Sequence, residues 1–269
     1  MRGLIATGLL MGATLTALGQ AGATGMDAAT IVRRSVQAAE SNYQWTPRYN
    51  YFKVVRERNQ QNRTYEEIML AGSRYSRLVA INGEPLSPDG EAAEQRKLEA
   101  AARSRSRESA EERAKRVGRY EQDRQRDQDL LMEMVNAFEF TQVGEGVHDG
   151  HEVYVLKAKP RKGYRPPNNR AKVLTGMEGT LWIEKNTFQW VRVEAEVIHP
   201  VSIEGFLARV QRGTRFELDQ MPVTEGVWLP RHFAMRSHAR ILFLFSKNDE
   251  EDEDYYGYAP VPASDAAAR

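Results

Sequence analysis

The chain has 269 residues, with 38 basic and 37 acidic side chains and no cysteine. This length is sufficient for one large domain with a sizeable core. The missing thiols exclude disulfides, thiolate nucleophiles, cysteine-ligated zinc and iron–sulfur clusters. Because basic and acidic residues balance, the chain as a whole has no net field that would attract nucleic acid or an anionic membrane.

An apolar segment lies at the N-terminus. Arg2 precedes an apolar run from Leu4 to Leu18, and Ala21-Gly22-Ala23 then shows the small-x-small pattern of a signal peptidase site. The run is about 15 residues long, shorter than the roughly 20 residues that a membrane-spanning helix needs. We expect residues 1–23 to be a cleaved signal peptide, with a retained anchor as the alternative. The processed protein would then be periplasmic or secreted, with no transmembrane span.

Hydrophobic periodicity predicts a helix followed by many strands. Residues 27–43 carry apolar side chains at spacings of three and four, which is typical of an amphipathic helix. From Arg48 the period changes to two, and this alternation returns in successive segments up to Phe245. Asn82-Gly83 and Asp149-Gly150 predict tight hairpin turns, because a type I′ turn needs positive φ at both central residues.

A charged segment, residues 87–137, interrupts the strands. Ser87-Pro88 is typical of a helix start, since the hydroxyl caps the first turn and proline fits the first helical position. Residues 89–129 contain 11 basic and 11 acidic side chains among 41, so this helical stretch has almost no apolar face. We expect a long charged helical insert that projects into solvent and docks on the core only from Leu130 onward.

The C-terminal segment, residues 247–269, includes six consecutive acids from Asp249 to Asp254 and few apolar residues. It is therefore predicted to be a disordered acidic tail. The remaining residues 24–246 are predicted to form one domain of class α+β. Many antiparallel strands that are apolar on one face, together with a few helices, predict a strongly curved antiparallel sheet with the helices on its concave side.

Three stretches resemble a known family. They are the helix after the apolar leader, the hairpin Tyr75–Leu86 before the insert, and Gly179-Thr-Leu-Trp-Ile-Glu184 followed by Trp190-Val-Arg-Val193. In this succession, residues 27–245 resemble the LolA/LolB-like superfamily of periplasmic lipoprotein carriers and related sensor domains. The resemblance implies an unclosed β-barrel with a helical lid and an apolar cavity for acyl chains. The charged insert departs from the compact lid of that family, and the family's cavity arginine has no matched position here.

The apolar side chains on one face of the strands are the candidate ligand-binding residues. A curled sheet must cover its apolar face with side chains, a helix or a ligand, and each shielded methylene contributes about 0.8 kcal/mol. A plain packed core is the alternative interpretation of the same pattern. The candidates alternate with period two: Phe52, Val54, Ile68, Leu70, Leu181, Ile183, Val191, Val193, Phe216, Leu218, Phe233 and Met235.

The remaining motifs indicate no metal, cofactor or catalytic residue. His148 and His151 flank a turn and could share a metal, but no further ligand stands at zinc spacing. The acidic run lacks the ligand spacing of a calcium loop. No catalytic or nucleotide-binding fingerprint occurs. Nucleic acid is not an expected partner, because neighbouring acids neutralise the basic residues of the insert.

These observations predict an exported, non-enzymatic protein that binds lipid or the acyl chains of a lipoprotein in envelope transport. The first alternative is a periplasmic sensor or scaffold that docks an envelope protein through its charged insert. A second alternative is a glycan-binding sheet face, on which Trp182 and Trp190 would form an exposed aromatic pair.

Overall fold

The computed structural model describes residues 26–203, 208–241 and 245–262, so the predicted signal peptide lies outside the described residues. These residues form three α-helices and thirteen strands. The helices are α1 Ala28–Trp45, α2 Pro88–Ser106 and α3 Ala110–Ala137. The strands are β1 Tyr49–Glu57, β2 Arg63–Leu70, β3 Ser73–Ile81, β4 Glu84–Pro85, β5 Phe138–His148, β6 His151–Pro160, β7 Met177–Glu184, β8 Trp190–Val197, β9 Val201–Ser202, β10 Ala208–Val210, β11 Arg215–Thr224, β12 Val227–Ile241 and β13 Phe245–Pro260. Among the described helices, none has the length and hydropathy needed to cross a membrane.

All thirteen strands belong to one antiparallel sheet. Eleven of them follow the order β4-β3-β2-β1-β13-β12-β11-β8-β7-β6-β5, while β10 pairs with β12 and β9. The sheet does not close on itself, so the predicted curved half-barrel with a helical lid is confirmed. Both predicted hairpin turns form, with φ of 53° and 82° at Asn82-Gly83 and of 49° and 82° at Asp149-Gly150.

The pairing register divides the sheet into two faces. Leu156, Leu181, Val193, Leu218 and Phe233 lie directly opposite one another on successive strands, so their side chains share one face. We call this the inner face, because α1 packs on it, and the opposite side the outer face.

Helix α1 closes part of the inner face. The Asp27 side chain caps the helix by accepting a hydrogen bond from the Thr30 amide at 2.9 Å. On the buried side, Ile31, Val32 and Val36 join the core formed by the sheet. The amphipathic spacing that predicted the helix therefore also identifies the residues that it buries.

The charged insert does not project freely into solvent, because it binds the β2–β3 turn. Helix α2 buries none of its residues. From α2, Arg105 donates to the carbonyl oxygens of Leu70 and Ser73 at 2.8 and 3.0 Å. From α3, Arg116 donates to the Ala71 carbonyl at 3.0 Å and to Ser73 Oγ at 2.6 Å. Charge-assisted hydrogen bonds thus hold α2 and the N-terminal part of α3, which have almost no apolar face. This contact is the correction to the predicted projection. From Leu130 onward α3 packs on the core, as predicted.

The two insert helices lie on opposite faces of the sheet edge. The Arg105 guanidinium of α2 lies 5.7 Å from the ring centroid of Tyr75. The Tyr120 hydroxyl of α3 lies 3.7 Å from Met69 Sδ. Tyr75 is paired with Ile68, the neighbour of Met69, so the two contacted side chains point to opposite faces. The insert therefore straddles the edge of the sheet.

The acidic C-terminal segment forms β13, which lies between β1 and β12. Its carboxylates pair with cations of the neighbouring strand β1. Glu253 lies 2.9 Å from Lys53 Nζ, while Asp252 and Asp254 each lie 2.7 Å from Arg56 Nη1. The predicted disorder of residues 247–269 is therefore wrong as far as residue 260. The acids are compensated by bases about 200 positions away in the sequence.

Candidate functional site

The structure brings five of the twelve predicted residues together beneath or beside α1. Leu181, Ile183 and Val193 are buried in the core, with exposed fractions of 1%, 0% and 2%. Phe216 and Leu218 pack against the same core but are only partly buried. Leu181, Ile183 and Val193 are therefore ordinary packed core residues, which was the alternative interpretation of the apolar pattern.

Beside this core, the inner face continues as a half-buried apolar surface. Phe216 lies opposite Met235, and Leu218 lies opposite Phe233, on the paired strands β11 and β12. The rings of Phe216 and Phe233 are 5.4 Å apart in an edge-to-face arrangement. None of the four side chains is fully buried. We call Phe216, Leu218, Phe233 and Met235 the inner apolar patch.

Four predicted residues lie on the outer face instead: Phe52, Val54, Ile68 and Leu70. Val55, rather than Val54, lies opposite Glu253, which in turn lies opposite Phe233 of the inner face. Val54 lies opposite Thr64, so the even-numbered positions of β2 also point outward. The prediction that these four residues share one face with Leu181 and Val193 is therefore wrong. Periodicity gives alternation within a strand, but it does not give the register between distant strands.

A β-bulge places Val191 on the outer side as well. The pairing shifts between Trp182 and Ile183, so that Ile183 lies opposite Trp190. Val191 then packs with Trp228 and Trp182 in a separate outer cluster. Trp190 lies in the inner core with 4% of its surface exposed. The two tryptophans therefore do not form the exposed pair on which the glycan-binding alternative was based.

The first and last residues of the motif Gly179–Glu184, on which the family resemblance partly rests, each have a structural role. A Cβ on Gly179 would lie 2.7 Å from the carbonyl oxygen of Glu194, so the neighbouring strand requires glycine there. At the other end, Glu184 accepts four hydrogen bonds of 2.6–3.0 Å from Asn186 and Thr187. Burial raises the pKa of Glu184, but these hydrogen bonds outweigh it and hold the pKa below its usual value.

A polar border lies beside the inner apolar patch. Glu253, which is opposite Phe233, is only 7% exposed and binds Lys53 Nζ and the Tyr255 hydroxyl. Burial lowers the pKa of Lys53, but the hydrogen bond and charge of Glu253 raise it overall. Burial, together with the Glu253 charge, raises the pKa of Tyr255. An apolar floor with a polar edge suits an amphiphilic ligand.

Three possible metal ligands meet on the outer face. The ligand atoms of His232, Asp252 and Asp254 lie within 4.8 Å of one another. The Arg56 guanidinium already bridges the two carboxylates at 2.7 Å. Burial raises the pKa of Asp254, but hydrogen bonds from His232 and Arg56 lower it overall. The Arg56 guanidinium thus occupies the position next to both carboxylates and balances their negative charge.

The outer face also carries a groove of about 410 Å³ across β6, β7, β8 and β11. Its charged lining residues are Lys157, Lys159, Glu178, Glu194, Glu196, Arg215 and Glu217. Several of these charges are paired, for example Arg215 Nε with Glu196 Oε2 at 3.1 Å. Such a lining does not suit an acyl chain, so the inner apolar patch remains the candidate site for an apolar ligand.

No protein-family model and no curated protein matches the sequence. The structure is similar to a LolA superfamily protein from Nitrosomonas europaea, at 9% identity over 91% of this chain and 98% of the other, with a TM-score of 0.33. It is also similar to a DUF1329 family protein from Desulfovibrio piger, at 11% identity over 88% and 97% of the two chains, with a TM-score of 0.30. A third match is the complex of MucA and MucB from Pseudomonas aeruginosa, at 9% identity over 87% and 99%, with a TM-score of 0.22. One of these structures thus belongs to the superfamily that the sequence motifs resemble.

Proposed function

We propose that the protein is exported to the bacterial envelope and binds lipid, or the acyl chains of a lipoprotein, on the inner apolar patch. One observation carries this proposal. Phe216, Leu218, Phe233 and Met235 extend the apolar inner face past the core, yet all four remain half-buried. No catalytic step is proposed.

The energetics of burial favour an acyl chain as the ligand. A chain that shields about ten methylenes on the patch would gain about 8 kcal/mol from the hydrophobic effect. Part of this gain is lost in ordering the chain and the protein. The polar border formed by Glu253 and Lys53 would face the polar end of the ligand.

A charge introduced into the patch tests the proposal. We expect Phe233→Arg to weaken binding of a fluorescent fatty acid at least tenfold, because the guanidinium would lie where the methylenes pack. The matched control is Ala234→Arg on the same strand. Ala234 points to the outer face and lies opposite Glu217 and Asp252, where a cation is tolerated.

Fluorescence titration of both variants, each checked for native circular dichroism, gives the result. Selective loss of binding in Phe233→Arg supports the proposal. Equal binding by the unmodified protein and both folded variants would show that the ligand does not use this face.

A second candidate function is a sensor or scaffold that docks a protein partner through the insert. The observation in its favour is that α2 buries none of its 19 residues, so most of its charged surface is available. The same variants separate the two functions. A protein that docks through α2 would keep its partner in Phe233→Arg, whereas a carrier would lose its ligand.

A further inference from the structure

Every charged side chain in the loop that joins β6 to β7 is positive. Residues 161–172 contain five basic side chains and no acid, although the whole chain is nearly neutral. We call this segment the basic loop. Its basic residues are Arg161, Lys162, Arg165, Arg170 and Lys172.

Part of this positive charge is not compensated within the protein. Lys162 and Arg165 are exposed and Lys172 is half-buried, and none of the three has an ion pair among the described residues. The basic loop therefore differs from the insert, in which residues 89–129 contain 11 bases and 11 acids, and from β13, whose acids pair with Lys53 and Arg56 of β1. The loop itself contains no acid, although Asp129 and Glu133 of α3 line a groove together with Asn168 and Arg170.

The basic loop is held in place by the fold. Arg161 donates to the carbonyl oxygens of Val135, Asn136 and Phe138 at 2.9–3.3 Å, around the C-terminal end of α3. This is the end of a helix where a cation is stabilised. Pro166-Pro167 restricts the backbone of the same segment. The free cations are thus presented by an anchored loop.

The basic loop lies at the same end of the sheet as part of the inner apolar patch. Ala158, two residues before the end of β6, lies in one cross-strand row with Gly179, Ala195, Phe216 and Met235. The loop leaves β6 at Pro160, next to that row. A surface that contacts the basic loop would therefore also face this end of the patch.

We propose that the basic loop docks the protein on an anionic lipid bilayer. Lys162, Arg165 and Lys172 on an anchored loop match a surface of lipid phosphates, to which each basic residue near the surface contributes binding energy. The neighbouring apolar end of the sheet favours a bilayer over an acidic protein as the partner. The inference goes beyond ligand binding and does not require that the patch be occupied.

Vesicle sedimentation tests the proposal, with the processed protein purified after export. We expect binding to vesicles that contain 30% phosphatidylglycerol, at about 0.1 M salt, and none to pure phosphatidylcholine. The double variant Lys162→Glu/Arg165→Glu should reduce the partition coefficient at least tenfold. The matched control is Arg96→Glu/Lys115→Glu. It changes the net charge equally at two exposed residues of the insert that have no ion pair among the described residues, and it should bind like the unmodified protein.

Absence of a phosphatidylglycerol effect, or an equal loss in both double variants, would overturn the proposal. Binding of a poly-glutamate peptide to the loop without vesicle binding would also overturn it and would indicate an acidic protein partner. The vesicle experiment and the fatty-acid titration can fail independently of each other. Phe233→Arg should still sediment with the vesicles, and Lys162→Glu/Arg165→Glu should still bind the fluorescent fatty acid.

Discussion

At the scale of single residues, Glu184 shows how one carboxylate holds a turn of the sheet. Its four hydrogen bonds to Asn186 and Thr187 close the β7–β8 connection, and only 5% of its surface is exposed. Because its pKa is lowered in the folded state, this stabilisation is complete above the usual carboxyl pKa and is lost as the pH falls through the folded value.

We therefore expect Glu184→Gln to lower the free energy of unfolding by about 1–2 kcal/mol at pH 7, because the amide offers a single neutral acceptor. The difference from the unmodified protein should shrink as the pH falls below about 4. Urea denaturation at pH 7 and pH 3.5 measures it. The control is Glu225→Gln, at an exposed turn residue, which should change stability little at either pH. A pH-independent difference for Glu184→Gln would contradict this assignment.

At the scale of elements, the insert is held to the edge of the sheet by arginines. Arg105 and Arg116 donate to main-chain and hydroxyl oxygens of the β2–β3 turn, and Arg116 also binds Glu108 at 2.6 Å. Burial lowers the pKa of Arg105, as does the nearby Arg116 charge. In α2 and the N-terminal part of α3, these contacts replace the apolar packing that secures most helices.

Removing these contacts should loosen the edge locally. We expect Arg105→Gln/Arg116→Gln to speed amide hydrogen exchange in β3 and in the insert at least tenfold, with the core beneath α1 unchanged. Hydrogen-exchange mass spectrometry measures this, with the exposed Arg96→Gln as the control on α2. If β3 exchanges at the same rate in all three proteins, the arginines do not secure the insert.

The hairpins and β13 show what the sequence could and could not predict at this scale. Asn82-Gly83 and Asp149-Gly150 are local signals, and both turns form where they were predicted. The acid run in β13 by itself predicts disorder, because its partners Lys53 and Arg56 lie on a strand near the other end of the chain. Local composition carries no information on such long-range compensation.

At the scale of the whole molecule, the sequence predicted the half-barrel and part of its inner face. Leu181, Val193 and Leu218 were assigned to one face, and the register places them there. Val54 and Val191 were assigned to the same face but point outward, because strand register and one β-bulge decide their orientation. The polar border at Glu253 could not be predicted once β13 was interpreted as a disordered tail.

The central claim is that the inner apolar patch binds an apolar chain. Native mass spectrometry of the processed protein, purified from the envelope without detergent and followed by organic extraction, tests it most directly. We predict a stoichiometric lipid or acylated peptide on the unmodified protein and on Ala234→Arg, and its loss from Phe233→Arg. Apo masses for all three proteins, with no uptake of added lipid, would contradict the claim.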